Sequence, residues 1–178
     1  MPELNSLYRE IILDHFKCPR GKKIIECPDV TFEGYNPVCG DEVKIAIKVQ
    51  SGLIQDVAVH SRGCAISVAA GSMLAELLPG KSLAEVQKLG KAFEGLLKGE
   101  IDGFPEDFGD LESLEGVSRF PVRIKCAMLA WKTIQQAVGL LKEGALSKGS
   151  IAAKEMPTTE VSLSKLEAAK HNGANHAC

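Results

Sequence analysis

The chain has 178 residues, with 21 lysines and arginines against 23 aspartates and glutamates and a pI near 6.1. That length fits one domain with an ordinary core rather than two full domains. The near balance of charge leaves no broad cationic surface for neutralising phosphates along a duplex, which excludes nucleic acid as a natural partner. Met1-Pro-Glu-Leu-Asn-Ser6 lacks the basic and then apolar run of a secretion signal, and no apolar stretch approaches the ~20 residues of a membrane span, so a cytoplasmic protein without a membrane partner is expected. Six thinly spread cysteines in such a compartment point to reduced thiols for metal or sulfur chemistry rather than to a disulfide framework.

Leu4, Leu7, Tyr8, Ile11, Ile12 and Phe16 recur at spacings of three and four and predict a first helix with one apolar stripe, capped by Asn5 or Ser6 and ended by Cys18-Pro19-Arg20-Gly21. Thr31 to Val38 reads as a strand. Val43, Ile45, Ile47 and Val49 alternate with Lys44, Ala46 and Lys48, the period-two pattern of a strand with one buried face. Ile54, Val57 and Val59 mark a third strand, and the short Ser51-Gly52 connection predicts an antiparallel hairpin between these two. After Gly63-Cys64 the period becomes helical through Ile66, Ala69, Ala70, Met73, Leu74, Leu77 and Leu78, until Pro79-Gly80 stops it.

Residues 81 to 98 predict one or two amphipathic helices through Leu83, Val86, Leu89, Phe93, Leu96 and Leu97. Residues 99 to 118 then hold Glu100, Asp102, Glu106, Asp107, Asp110, Glu112 and Glu115 with no lysine or arginine; a solvated loop is expected, with a docking surface for a basic partner as the alternative. Pro121 suits the first turn of a last helix carrying Cys126, Leu129, Ala130, Thr133, Ala137, Leu140 and Leu141. Beyond Gly144 bulky apolar residues thin out. Residues 1–143 are therefore expected to form the domain and 144–178 a mobile tail, with one short helix around Val161 to Ala169.

Cys39, Cys64 and Cys126 each fall where a loop meets a regular element. The thiolate is the form that binds metal or attacks sulfur, and N–H groups at a helix start favour it at Cys64 and Cys126. Cys39 lies in the tight turn Cys39-Gly40-Asp41, where Gly40 lets the backbone fold so that the Cys39 and Asp41 side chains can point to one centre. Three soft thiolates and one hard carboxylate suit a single tetrahedral metal. Free cysteines are also common as small buried apolar residues, and a turn aspartate commonly hydrogen-bonds its own backbone. Composition and spacing leave both readings open.

Arg123, about one turn before Cys126, reads either as a partner of Asp41 or guide for a persulfide, or as a solvated helix arginine; Lys125 reads as solvated. His15 and His60 stand in no ligand pattern and read as partly buried or surface residues. His171, His176 and Cys178 form a His-x4-His-x-Cys array that binds metal opportunistically or belongs to a disordered terminus. Cys18 and Cys27 read as structural or incidental.

Four stretches carry a resemblance to a known family: Leu7-Tyr-Arg-Glu-Ile-Ile-Leu-Asp-His-Phe16, Gly34-Tyr-Asn-Pro-Val-Cys-Gly-Asp41, Gly63-Cys-Ala-Ile-Ser67 and Arg119-Phe-Pro-Val-Arg-Ile-Lys-Cys-Ala-Met-Leu-Ala-Trp131. They resemble the iron-sulfur cluster assembly family of IscU-like or NifU N-terminal proteins, and within it the SufU branch. Lys125, where the family's cluster scaffolds have a histidine, and the acidic insertion before Pro121 favour that branch. The resemblance implies an α+β fold, a small three-stranded antiparallel sheet packed against several helices, holding zinc through Cys39, Asp41, Cys64 and Cys126.

It further implies a zinc-dependent sulfurtransferase of iron-sulfur cluster biogenesis. Cys39, the catalytic residue, accepts persulfide sulfur from a pyridoxal-phosphate cysteine desulfurase of the SufS type after a desulfurase histidine replaces it on the zinc. Asp41, Cys64 and Cys126 keep the metal, and the sulfur passes to downstream assembly machinery. Two alternatives stand beside it. One is a scaffold on which the same four residues hold a transient 2Fe-2S cluster; the other is a zinc-stapled adaptor that binds partners through the acidic segment without sulfur chemistry.

Overall fold

The computed structural model describes residues 2–104, 108–143 and 151–155. Three strands, β1 (Val30–Asn36), β2 (Asp41–Gln50) and β3 (Leu53–Arg62), pair antiparallel in sequence order, with Asn36 opposite Asp41 and Glu42 opposite Arg62. The alternation along β2 is realised directly: Val43, Ile45 and Ile47 are buried while Glu42 and Lys44 face solvent. Ser51 and Gly52 both take positive φ, 54° and 77°, as the twist of a two-residue hairpin requires. A fourth strand, β4 (Ile151–Glu155), runs parallel to β1 and gives the order β3-β2-β1-β4. It comes from the stretch that the sequence assigns to the tail. The helix expected around Val161 to Ala169 and the array of His171, His176 and Cys178 lie outside the described residues.

The helices are α1 (Pro2–Lys17), α2 (Ala65–Leu77), α3 (Leu83–Lys98) and α4 (Pro121–Lys142), with a 3₁₀ helix at Gly109–Arg119. The chain is thus α+β. Residues Ser67 to Ala75 of α2 are all buried, with α2 packed against β3, α1, α4 and the 3₁₀ helix. Residues 81–98 form one helix, not two, started by a reciprocal capping box between Ser82 and Glu85. Phe93 of α3 lies 6.0 Å from Phe108 and 5.8 Å from Trp131 of α4, ring centre to ring centre, and all three are fully buried. Each such ring contributes on the order of 2–3 kcal/mol by leaving water.

Two expectations need correction. The first helix begins at Pro2, so Asn5 and Ser6 lie inside it rather than capping it. Phe16 is 40% exposed, and among the helix residues whose burial is described it is His15, 1% exposed, that is buried. The acidic stretch is a solvated loop only at its start, where residues 99–103 are exposed; from Gly109 it is helical. Phe108, Leu111, Leu114 and Val117 recur every third residue and are all buried. A 3₁₀ helix has three residues per turn, so this spacing lines them up on one stripe while Asp110, Glu112 and Glu115 stay at the surface.

One close approach sets the position of α4. A Cβ on Gly34 of β1 would stand 2.1 Å from Thr133 Oγ1 of α4, so only glycine lets the helix settle against the strand at this level. Thr133 Oγ1 is in turn held by donating to the Leu129 carbonyl at 2.7 Å. Two turns before Thr133 on the same helix lies Cys126.

Candidate metal centre

The β1–β2 hairpin turns through Pro37, Val38, Cys39 and Gly40. The Asn36 side chain accepts the Val38 N–H at 3.1 Å and its carbonyl accepts the Gly40 N–H at 2.8 Å. Gly40 takes φ 71°, the left-handed conformation that brings the chain back into β2. Cys39 is thereby presented, half-buried, on a loop, and Asp41 begins the strand with its carboxylate 1% exposed. Cys64 occupies the N-cap of α2, where its sulfur accepts the Ser67 N–H at 3.4 Å. Cys126 lies within α4 and is fully buried.

These side chains converge. Cys126 Sγ is 3.3 Å from Cys39 Sγ across 87 positions of sequence, and ligand atoms of Cys39, Asp41 and Cys126 all lie within 4.8 Å of one another. Asp41 ties in the fourth residue: Oδ1 accepts the Cys64 N–H at 2.9 Å and Oδ2 stands 3.8 Å from Cys64 Sγ. Gly63 makes room for this arrangement. With φ 149°, it would place a Cβ 2.1 Å from Asp41 Oδ1.

The favourable helix-start environment expected for two thiols is found for one. Cys64 receives an N–H bond at the head of α2, whereas Cys126 lies beyond the first turn of α4, its sulfur 3.8 Å from the Val122 carbonyl, an acceptor rather than a donor. Burial pushes the Cys126 thiol well above the usual cysteine range, and the adjoining Cys39 thiol and Asp41 carboxylate push it the same way. Its thiolate therefore needs a positive centre. Arg123 is exposed, and its guanidinium is held in the charged form first by hydrogen bonding to Cys126 and then by the charge of Cys64. Arg123 thus faces the thiols. Lys125 is exposed as expected, and His60 is taken up by the sheet, its Nε2–H donating to the Lys23 carbonyl at 2.9 Å.

The donor set fits zinc. In a tetrahedron with Zn–S bonds near 2.3 Å and a Zn–O bond near 2.0 Å, two sulfurs lie about 3.8 Å apart and a sulfur and an oxygen about 3.5 Å. Of the two edges seen here, the 3.3 Å between Cys39 and Cys126 is about 0.5 Å shorter and the 3.8 Å between Cys64 and Asp41 about 0.3 Å longer than those separations. With Oδ1 occupied by the Cys64 N–H, Asp41 has one oxygen, Oδ2, to offer.

Two groups escaped the sequence reading. Asn36 is buried at the base of the Cys39 loop, and its Nδ2 has no partner among the described residues; Asn-Pro before Cys39 carried only a turn signal. His15 is the centre of a second cluster, with Nδ1 2.7 Å from Ser72 Oγ and Nε2 2.9 Å from Asp110 Oδ2. Glu76 Oε2 lies 3.9 Å from Nε2. An isolated histidine has no periodicity by which such a role could be found.

Comparison with known proteins agrees with this geometry. The model of the NifU-like N terminal domain matches residues 7–146. The chain is 36% identical over 135 residues to the zinc-dependent sulfurtransferase SufU of Bacillus subtilis, covering 76% of this chain and 91% of that one. It is 33% identical over 138 residues to the iron-sulfur cluster assembly scaffold protein IscU of Streptococcus pyogenes, covering 78% and 86%. The crystal structure of a NifU-like protein (N-terminal) from Brucella abortus, 21% identical, superposes with a TM-score of 0.71 over 76% of this chain and 94% of that one, a likeness of fold. With the matched region enclosing Cys39, Asp41, Cys64 and Cys126, the chain belongs to the NifU-like N-terminal domain family.

Proposed function

We propose that this protein is a zinc-dependent sulfurtransferase of iron-sulfur cluster biogenesis, with Cys39 as the acceptor of persulfide sulfur from a SufS-type cysteine desulfurase. The observation that carries the reading is an asymmetry within the cluster. Cys126 is fully buried; Cys39 and Cys64 are both half-buried, but Cys64 is fixed at a helix cap while Cys39, 3.3 Å from Cys126, rides on a hairpin loop. Cys39 is the donor that can leave without opening the core. The name of the Bacillus subtilis relative, a zinc-dependent sulfurtransferase, supports the same reading.

Cys39, Asp41, Cys64 and Cys126 would hold the ion, all within residues 1–143, the portion read as the domain. Zinc, when bound, supplies a redox-inert cationic centre that keeps the sulfurs ionised at neutral pH. The transfer itself needs no oxidant. The Cys39 thiolate attacks the outer sulfur of the donor persulfide, a new S–S bond forms at Cys39, and the donor's own cysteine departs as a thiolate. Asp41, Cys64 and Cys126 stay in place, and Arg123 stands beside the sulfurs as a fixed positive charge.

Val38, Phe120 and Val122, near Cys39 and Cys126 in sequence, are 53%, 61% and 58% exposed and supply apolar surface for a protein partner at this place. Among the described residues no helix is long and apolar enough to cross a membrane. The cytoplasm, which keeps thiols reduced, suits the chemistry.

The test is cysteine-dependent sulfide production by a cognate desulfurase, with and without this protein. Stimulation by the wild type that disappears with Cys39→Ser is the expected result; undiminished stimulation by that variant would overturn the assignment. Protein purified without oxygen should contain zinc and be colourless, whereas an iron-sulfur chromophore would favour the scaffold.

A further inference from the structure

Cys27 is the exception to the reduced thiols expected of this chain. It is exposed on the loop before β1, holds φ at 48°, a left-handed value rare for a residue with a Cβ, and is joined in a disulfide. Among the described residues Cys18, Cys39, Cys64 and Cys126 are free thiols. Of the six cysteines in the sequence, that leaves Cys178.

A bond between Cys27 and Cys178 would fix both ends of residues 156–178. β4 runs parallel to β1 and its last residue, Glu155, pairs with Tyr35, so the chain leaves the sheet at the end from which the Cys39 loop springs. Cys27 lies at the other end, three residues before Val30. The way back from Tyr35 to Cys27 is at most about 29 Å of extended chain. Residues 156–178 reach roughly 60 Å even with 161–169 in a helix.

One face of the sheet is closed to such a return. α4 packs on β1 from the inner side, where a Cβ on Gly34 would meet Thr133, and α2 packs on the same side, where a Cβ on Gly71 would meet Val59. The outer face holds small and apolar side chains instead. Thr31, Ala46 and Ala58 stand side by side across β1, β2 and β3, and with Ile24, Ile25 and Pro28 they line a cavity of about 320 Å³. Ile24 is 91% exposed. In the sequence Leu163, Leu166 and Ala169 recur every third residue, the stripe that a short helix would lay into such a trough. Helical residues 161–169 would measure about 13 Å, the length of β1 from Tyr35 back to Thr31.

We infer that residues 156–178 lie across the outer face of the sheet, seated in the cavity beside Ile24 and fastened by a Cys27–Cys178 disulfide. The latch responds to redox state. A dithiol opens it by thiol–disulfide exchange: two hydrogens pass to Cys27 and Cys178, and the dithiol closes to its own disulfide. A low-molecular-weight disulfide such as oxidised glutathione closes it again by the reverse exchange and leaves as two thiols.

The test uses the full chain equilibrated with oxidised glutathione, treated with N-ethylmaleimide and mapped by mass spectrometry without reduction. A linked peptide pair containing Cys27 and Cys178 is expected; Cys27 found in any other state would overturn the inference. Docking is read separately by amide exchange, comparing the latched protein with the same protein after dithiothreitol. Residues 161–169 should exchange at least about 10-fold more slowly when latched. Ile24→Asp, a change at an exposed side chain, should remove most of that protection and keep the disulfide. Equal exchange of residues 161–169 in the two states would also overturn the inference, leaving a tether that covers nothing. Cys27→Ser should reproduce the exchange of the reduced protein with zinc content unchanged, which separates loss of the latch from a defect in the metal centre.

Discussion

The two ends of α2 make an instructive pair. At the N-terminal end, Cys39, Asp41 and Cys126 bring ligand atoms within 4.8 Å of one another, joined by Cys64; toward the C-terminal end, His15, Glu76 and Asp110 do the same. Proximity alone would make both of them metal sites. They differ in what their atoms already have. Ser72 Oγ accepts the Arg20 N–H at 2.8 Å and lies 2.7 Å from His15 Nδ1, while the ring's Nε2–H donates to Asp110 at 2.9 Å. Both ring nitrogens thus have a close partner. Glu76 is also met by Arg20 at 3.5 Å, so a cation is already present. Among the described residues the thiols have long, weak contacts with each other, with Asp41, with Arg123 and with backbone groups. A ligand site is marked by donor atoms that stay poorly satisfied, and a structural strut by atoms that are fully paired.

The sharpest way to break this contrast is to remove one member from each end. Asp41→Ala should reduce zinc affinity by more than about 100-fold, since the loss of a direct ligand exceeds the 10- to 100-fold typical of a supporting residue. Metal content after dialysis against a chelator measures it, and wild-type occupancy in the variant would dissolve the distinction. His15→Ala should act the other way, leaving zinc content unchanged and lowering unfolding stability by about 2–4 kcal/mol, because Ser72 and Asp110 lose a buried partner and a cavity opens. Thermal unfolding at fixed metal concentration checks this. Zinc loss in His15→Ala without a fall in stability would reverse the two roles.

A smaller effect sharpens the account of how the sulfur end is assembled. Gly34→Ala should push α4 away from β1, cost about 1–3 kcal/mol and weaken zinc binding through displacement of Cys126. Removing the obstructing atom should restore much of both in the double variant Gly34→Ala/Thr133→Ala, as a double-mutant cycle would show. Additive losses would mean that the Gly34–Thr133 approach does not set the position of Cys126.

Much of the fold was legible because it rests on periodicity. The alternation from Val43 to Val49 is a property of neighbours in the chain, as are Pro121 at the head of α4 and the Ser51-Gly52 turn. The 3₁₀ helix was missed for a specific reason. The charge count of its segment drew attention away from Phe108, Leu111, Leu114 and Val117, whose spacing of three fits neither a 3.6-residue helix nor a strand. His15 was misjudged because its two partners lie 57 and 95 positions away.

The sequence by itself determined the types of most elements, the hairpin turn and the four candidate ligand residues, since each depends on residues adjacent in the chain or on a recognisable motif. Only the tertiary structure decided which polar groups end up satisfied. It seats α4 against Gly34 so that Cys126 reaches Cys39 from 87 positions away, leaves Asn36 Nδ2 without a partner among the described residues, and gives His15 two. Hydrogen-bond satisfaction depends on three-dimensional packing between distant segments, and local patterning carries no record of it.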